Sequence, residues 1–377
     1  MRILIVSHHS GSLINFRGDL LRKIISLGHE VIAIAPDSKV KPELDKMNIK
    51  LEIAEIDKQG LGILQNVRYL MRIISVIKKY KIDLVFGYTV KPIVFGSLAS
   101  LLTRTKNFYA MVEGLGGVFT EPFTNKKLLL QFIIKRLYAL SFKVSKKVFL
   151  LNQDDLKDLT KMNLLEERKA VVIPGIGVDL EKYKRATLPK KPIFLIIARL
   201  VYSKGVIDYC EAAKIIKKTY PDVQFNILGG FDNKEDTIPK KIFQAYVDQK
   251  TVCYLGEASD VRPHIENSSV FVLPSYYREG LPRSIVESMA MGRPIITTDN
   301  VGCRDTVING ENGYLVPTHN PNLLAEKMEL LIKDSELREN MGSKSWEICK
   351  QKYDGNMINN ILVNEMELLK NQENCKK

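Results

Sequence analysis

Two glutamates eight positions apart, Glu279 and Glu287, and two basic residues five apart, Arg199 and Lys204, have the types and spacing for chemistry on a sugar joined to a phosphate. Hydroxyl groups call for carboxylate acceptors, whereas phosphates call for N–H groups and positive charge. Glu279 opens Glu279-Gly280-Leu281-Pro282, between a buried strand pattern (Phe271 to Pro274) and a helical pattern that opens near Pro282 and runs to Met291. It therefore lies in a loop at a strand's carboxyl end, where ligands sit in open α/β sheets. Glu287 falls about a turn and a half into the helix, within reach of the same ligand. Proline at the first helical position sacrifices no hydrogen bond, and the Gly280-Leu281-Pro282 loop aims backbone N–H groups at the crevice, so the helix start reads as an anion site flanked by two acids. Arg199 ends a strand pattern (Phe194 to Ala198) and Lys204 starts the next helix, which puts a bidentate fork and a point charge over one crevice. A departing phosphate group needs that charge if no metal neutralises it.

Carboxylates at this spacing on an ordinary surface helix form only a solvated face, so the elements around them decide the reading. Arg2 to Ser7 is a continuous apolar strand pattern, followed by the loop His8 to Ser12, a helix from about Phe16 to Leu27 closed by Gly28, and a strand from Glu30 to Ala35. This opens a doubly wound parallel sheet without the G-x-G-x-x-G of dinucleotide sites, which disfavours an NAD enzyme. Gly11 lies in the first loop, where it would let the backbone approach a ligand. Further strands are expected at Leu51 to Ile56, Leu84 to Gly87 and Phe108 to Val112, and Glu113 ends the last of these just before glycines, where a site should be. After Lys190-Lys191 the alternation restarts, with strands at Phe225 to Gly229, Val252 to Gly256 and Ile295 to Thr298, then helices at Asn322 to Asp334 and Met357 to Leu369. Gly229-Gly230 marks a close backbone approach.

The length accommodates two domains, and 45% apolar with 26% charged residues is ordinary globular composition. The charge is uneven: residues 1–190 carry 32 basic against 18 acidic side chains and residues 191–377 carry 24 against 25, so the net +13 belongs to the first half. One half is thus expected to meet an anionic partner. Helical patterns at Ile63 to Tyr80 and Asn125 to Lys147 set apolar positions (Ile63, Val67, Leu70, Ile74, Ile77; Leu128, Leu129, Phe132, Ile133, Leu137) beside basic ones (Arg68, Arg72, Lys79; Lys135, Arg136, Lys143, Lys146, Lys147). That combination suits an anionic bilayer surface. No run of 18 apolar residues occurs, the opening MRILIVSHHSG lacks the form of a signal peptide, and a cytoplasmic protein peripherally bound to the inner face of the membrane is expected. Five scattered cysteines read as reduced thiols, His264 and His319 lack a partner at ligand spacing, and no acidic cluster suits Mg²⁺, so no metal and no other cofactor is expected.

The string E-G-L-P-R-S-I-V-E from Glu279 to Glu287 resembles the signature of family 4 glycosyltransferases, retaining enzymes of the GT-B type. The resemblance extends over nearly the whole chain: to Val171 to Asp179 as a boundary motif, with Ile176 where asparagine is common, to Arg199 and Lys204 with Ala198 replacing a usual glycine, and to the Gly310 to Val316 turn. Tyr88-Thr89-Val90-Lys91-Pro92, Val112-Glu113-Gly114-Leu115-Gly116 and Leu13 to Arg17 are similar to a branch that extends undecaprenyl-diphosphate-linked sugars in bacterial N-glycan and capsule assembly.

The resemblance implies an α/β GT-B fold, two Rossmann-like doubly wound domains facing each other across a cleft: an acceptor-binding, membrane-associating domain at 1–180, a nucleotide-sugar domain at 181–352, and a helix at 353–377 returning to the first. It implies transfer of an N-acetylated hexosamine from a UDP-sugar, the donor substrate, to a polyprenyl-diphosphate-linked saccharide. Glu279 would position the donor sugar and Glu287 hold the ribose, while Arg199, Lys204 and the Gly280-Leu281-Pro282 helix start stabilise the departing UDP. Gly11 would face the diphosphate, and Gly229 and Leu255 would line the nucleotide, with the backbone around Leu255 bracketing the uracil. On the acceptor side, Lys91 would contact the diphosphate or simply be exposed; Glu113 stands where the family more usually has histidine, and by its own position would act as a base or hydroxyl ligand or else cap the next loop; Phe119, in a loop running into Pro122 and Phe123, would touch lipid. The rival readings are a transferase with a soluble acceptor or a nucleotide-sugar epimerase on the same fold, and, remotely, a nucleic-acid-binding protein suggested by a pI near 9.3. Against the last, no base-reading motif accompanies the charges, and no nucleic-acid partner is expected.

Overall fold

The computed structural model describes residues 1–56, 62–116, 119, 124–232 and 236–369. Two compact units result, Met1–Ile176 together with the segment from Gly355, and Gly177–Asp354.

In the first unit the chain runs β1 (Arg2–Val6), α1 (Ser10–Asn15), α2 (Gly18–Ser26), β2 (Glu30–Ala35), α3 (Lys41–Lys46), β3 (Lys50–Ile53), α4 (Ile63–Tyr80), β4 (Leu84–Tyr88), α5 (Val90–Thr103), β5 (Asn107–Val112), α6 (Asn125–Val144), β6 (Lys147–Leu150), α7 (Gln153–Lys161) and β7 (Ala170–Val172). All seven strands are parallel, in the order β3-β2-β1-β4-β5-β6-β7. Continuous apolar runs such as Ile3 to Val6 are buried because helices cover both faces of such a sheet. The order reverses between β1 and β4, and in open α/β sheets ligands sit in the crevice at the carboxyl ends beside such a reversal.

The second unit repeats the plan with β8 (Ile193–Ile197), α8 (Val206–Lys217), β9 (Gln224–Leu228), α9 (Lys240–Asp248), β10 (Cys253–Tyr254), α10 (Arg262–Glu266), β11 (Val270–Leu273), α11 (Arg283–Ala290), β12 (Ile295–Thr298), β13 (Gly313–Val316), α12 (Pro321–Lys333) and α13 (Ser335–Lys352). The parallel order is β10-β9-β8-β11-β12-β13, with its reversal between β8 and β11. α14 (Gly355–Glu365) then packs on α2 in the first unit, and just beyond it Leu368 O accepts a hydrogen bond from His29 Nε2 at 2.9 Å.

Several expectations change. The loop His8 to Ser12 turns helical from Ser10, because the Ser12 amide and hydroxyl both bond His9 O (3.1 and 2.6 Å), so Gly11 lies in the first turn of α1. α6 stops at Val144, and Lys147 belongs to β6. On α4, Arg72 and Lys79 are drawn to the nearly buried Glu52 of β3 (2.5 and 2.7 Å), so two of its three expected surface cations are ion-paired. Phe119 is half-buried against the core of the first unit, while Pro122 and Phe123 lie outside the described residues. α13 has no expected counterpart: it closes on α11 through small residues, Gly342 lying so near Gly292 O that a Cβ would sit 2.3 Å away, and small contacts leave little apolar periodicity to read.

Candidate active site

At the β8/β11 reversal the second unit gathers four of the expected residues. Glu279 follows β11 in a loop that packs on the Asn300–Cys303 turn; a Cβ on Gly302 would lie 2.6 Å from Gly280 O, and its φ of +77° favours glycine. Lys204 arrives from β8 through a single 3-10 turn, one residue ahead of Gly205, which caps α8 at φ +70° and packs so tightly on Pro274 O that a Cβ would lie 2.0 Å away. That contact ties the β8 and β11 loops together. Lys204 Nζ and Glu279 Oε1 form an ion pair whose side chains are only 15% and 11% exposed. Ser275 Oγ donates to the same Glu279 oxygen at 3.0 Å, and the Tyr277 ring lies 5.0 Å from Lys204 Nζ. Burial, then the charge of Glu279, pushes the neighbouring Cys303 thiol up to about 12.

Helix α11 begins one residue later than expected: Pro282 is its N-cap, at φ −65° and ψ 111°, and Arg283 is the first helical residue. A helix start leaves its first amides without intrahelical partners, so this end keeps its positive character at the crevice. Glu287, buried one turn along, accepts from Arg283 Nε at 2.7 Å and from the Tyr183 hydroxyl at 2.9 Å. Arg199, two residues beyond β8, is ion-paired with Asp232 and half-exposed. Gly229, at φ +148°, brings the end of β9 against β8, where a Cβ would lie 1.9 Å from Ala198 O. The Gly229 amide is bound to Gly256 O at 2.8 Å and the Leu255 amide to Ile227 O at 2.9 Å, so both serve the sheet.

In the first unit, β1, β4 and β5 end beside one another. Glu113, one residue past β5, pairs with Arg17, which is 2% exposed. Arg17 Nη2 also reaches Met111 Sδ at 3.0 Å, and its guanidinium lies 4.7 Å from the centre of the Tyr88 ring. Glu113 thus answers a buried cation. Lys91, in the first turn of α5, donates to Asn66 Oδ1 at 3.2 Å. The preceding Thr89 adopts φ +68° and ψ 165°, a costly region for a β-branched residue, and its hydroxyl meets His8 Nδ1 at 2.9 Å.

His319 lies against Tyr276, ring centres 4.1 Å apart and tilted by 45°, with Nδ1 3.9 Å from Asp208. The sequence reading did not single out Tyr183, Arg283, Asp232 or the role of Arg17. Arg283 was accessible as the i−4 neighbour of Glu287; the others come from 33 to 104 positions away.

Residues 179–347 match the family model described as glycosyl transferases group 1, and residues 2–149 the model described as glycosyl transferase 4-like. The chain is 31% identical over 375 residues, 95% of its length and 96% of the relative's, to the N,N'-diacetylbacillosaminyl-diphospho-undecaprenol alpha-1,3-N-acetylgalactosaminyltransferase of Campylobacter jejuni. It is 27% identical, over 68% of each chain, to the UDP-Gal:alpha-D-GlcNAc-diphosphoundecaprenol alpha-1,3-galactosyltransferase of Escherichia coli. The crystal structure of a glycosyltransferase from Rickettsia africae superposes with a TM-score of 0.79 over 98% of this chain and 99% of that one, at 22% identity. Two parallel doubly wound units, two family models that together span most of the chain, and a relative matched end to end lead to one conclusion: the chain is a glycosyltransferase of the group 1 and 4-like family, built on the GT-B fold.

Proposed function

We propose that this glycosyltransferase moves an N-acetylated hexosamine from a UDP-sugar to an undecaprenyl-diphosphate-linked saccharide, with retention at the anomeric carbon and without a metal. The observation that carries the reading is the convergence, at one topological switch point, of the buried Lys204–Glu279 pair, the α11 amino end and the buried Glu287. Glu287 holds the ribose and Glu279 orients the donor sugar. As the bond from the anomeric carbon to the β-phosphate oxygen breaks, negative charge grows on UDP, and Lys204, Arg199 and the amides at Leu281 and Arg283 take it up. Arg199 is available because an exposed pair such as Arg199–Asp232 is worth about 1 kcal/mol or less. These fixed charges do what a divalent ion would otherwise do.

The acceptor assignment draws on the names of the two relatives, both of which specify diphospho-undecaprenol acceptors, and the UDP assignment on the donor named for the second. Glu113, presented by Arg17, accepts a hydroxyl of the acceptor saccharide, and Lys91 meets the lipid diphosphate at the amino end of α5. Among the described residues no helix is long and apolar enough to cross a membrane. What supports peripheral binding is that α4 exposes Ile63, Leu64, Val67 and Met71, and α6 exposes Leu128, Leu129 and Phe132, all near the helix starts that follow the carboxyl edge of the sheet. Arg136 caps the Phe132 ring at 5.1 Å, supplying the charge an anionic leaflet attracts.

The test is UDP release from a panel of UDP-N-acetylhexosamines, each with and without a polyprenyl-diphosphate-linked amino sugar. Release with one donor only in the presence of the lipid, falling roughly a hundredfold in Glu279→Ala, is expected. Release that ignores the lipid, or survives the substitution, refutes the reading.

A further inference from the structure

We propose that Tyr183 is a positioning residue of the nucleotide site, acting through Glu287; the proposal rests on the reading of Glu287 as the ribose ligand. The Tyr183 hydroxyl donates to Glu287 Oε1 at 2.9 Å and Arg283 Nε donates to the same oxygen at 2.7 Å. A carboxylate oxygen accepts about two hydrogen bonds. Oε1 is therefore filled, and a ribose hydroxyl has Oε2 as its acceptor. Without the tyrosine, Arg283 would be the one partner of Glu287 among the described residues, through an i,i+4 contact that leaves the carboxylate plane free to turn.

Tyr183 suits the task because the turn that carries it is stiff. The Glu181 and Lys182 amides donate to Asp179 Oδ1 at 3.0 and 3.2 Å, the Tyr183 amide donates to Asp179 O at 2.9 Å, and Lys182 Nζ pairs with Asp179 Oδ2 at 2.8 Å. The turn is anchored in turn by the Val178 amide on Tyr353 O at 2.9 Å. Burial, reinforced by the charge of Glu287, raises the phenol well above its ordinary value, so the proton stays on Tyr183 and the group remains a donor. A nucleoside diphosphate carrying an intact ribose diol is the ligand this arrangement selects.

The experiment compares UDP with 2′,3′-dideoxy-UDP, by calorimetry on the full chain, for wild type, Tyr183→Phe and Glu287→Gln, with steady-state kinetics on the UDP-sugar alongside. Tyr183→Phe removes one oxygen and keeps the ring, so the fold is retained. A charge-assisted hydrogen bond to each ribose hydroxyl corresponds to a preference for UDP of roughly a hundredfold in wild type. Glu287→Gln should reduce that preference to about threefold and Tyr183→Phe to about tenfold, the latter raising KM by a similar factor with kcat within about twofold. If Glu287→Gln erases the preference while Tyr183→Phe leaves it at the wild-type value, Tyr183 is a packing residue only and the proposal fails alone. If Glu287→Gln leaves the preference untouched, the ribose assignment falls and this proposal with it.

Discussion

Replacing Glu279 by glutamine separates donor binding from transfer. Glu279 is the counter-ion of Lys204, with both side chains at most 15% exposed. Two such charges at contact attract by about 4 kcal/mol at an effective dielectric of about 20. A diphosphate arriving at Lys204 has to share that cation with Glu279. Glu279→Gln removes the competing charge and keeps an oxygen for the Ser275 hydroxyl, so the Kd for UDP should stay the same or tighten by up to about tenfold. Lys204→Met removes the cation itself and leaves a buried carboxylate, so UDP should bind at least about thirtyfold more weakly, about 2 kcal/mol. The transfer rate should fall roughly a hundredfold in both, about 2.7 kcal/mol, because donor orientation is lost in one and leaving-group stabilisation in the other. Calorimetry with UDP and a coupled UDP-release assay read the two effects on the same preparations. If Glu279→Gln weakens UDP as much as Lys204→Met does, Glu279 merely supports Lys204, and its assignment to the donor sugar is refuted.

Four other outcomes are expected. Arg199→Ala should leave thermal stability within about 1 kcal/mol, since its pair with Asp232 is exposed, while lowering kcat/KM at least about tenfold; a large stability loss with normal turnover would contradict its role. Glu113→Ala strands the 2%-exposed Arg17 guanidinium and should cost about 3–5 kcal/mol by thermal or urea unfolding, whereas Arg17→Met combined with Glu113→Gln should cost less than the sum of the single changes. Burial would raise the Glu52 carboxyl, but hydrogen bonds from Lys79 and Tyr80 and the charge of Arg72 hold it below 4.5. Its folded value is the lower one, so the stability it contributes is present above about pH 4.5 and is lost as pH falls through that depressed value; Glu52→Gln should flatten this part of an acid titration of stability. Val67→Asp with Phe132→Asp should reduce sedimentation with vesicles rich in phosphatidylglycerol by about tenfold without changing the unfolding midpoint, because both side chains are already exposed, and unaltered sedimentation would remove α4 and α6 from the membrane surface.

Much of this architecture lies in short-range pattern. Apolar runs such as Phe271 to Pro274 and Ile295 to Thr298, alternating with helical periodicity, already demand parallel sheets covered on both faces, and the strands at those two positions form almost as the residues predict. The loop between them puts Glu279 at a strand's carboxyl end and Glu287 on the following helix whatever the partners are, so the motif was legible locally. The first-turn geometry of α1 and the N-cap position of Pro282 turn on one or two residues of capping, which periodicity does not resolve. α13 escaped because glycine, serine and cysteine make its closest contacts, and small side chains carry weak hydrophobic periodicity.

Apart from Arg283 and Ser275, each four residues before the glutamate it serves, the partners described for the candidate site were decided by tertiary structure. Arg17 meets Glu113 across 96 positions because strand order, and not sequence separation, determines which loops become neighbours, and Tyr183 meets Glu287 across 104 because the turn that carries it is held by Val178 on Tyr353. A sequence specifies which residues can donate or accept. Only the folded sheet, by bringing β8 beside β11 and β1 beside β4, selects which donor is buried against which acceptor, and the energy of a charge pair depends on that burial.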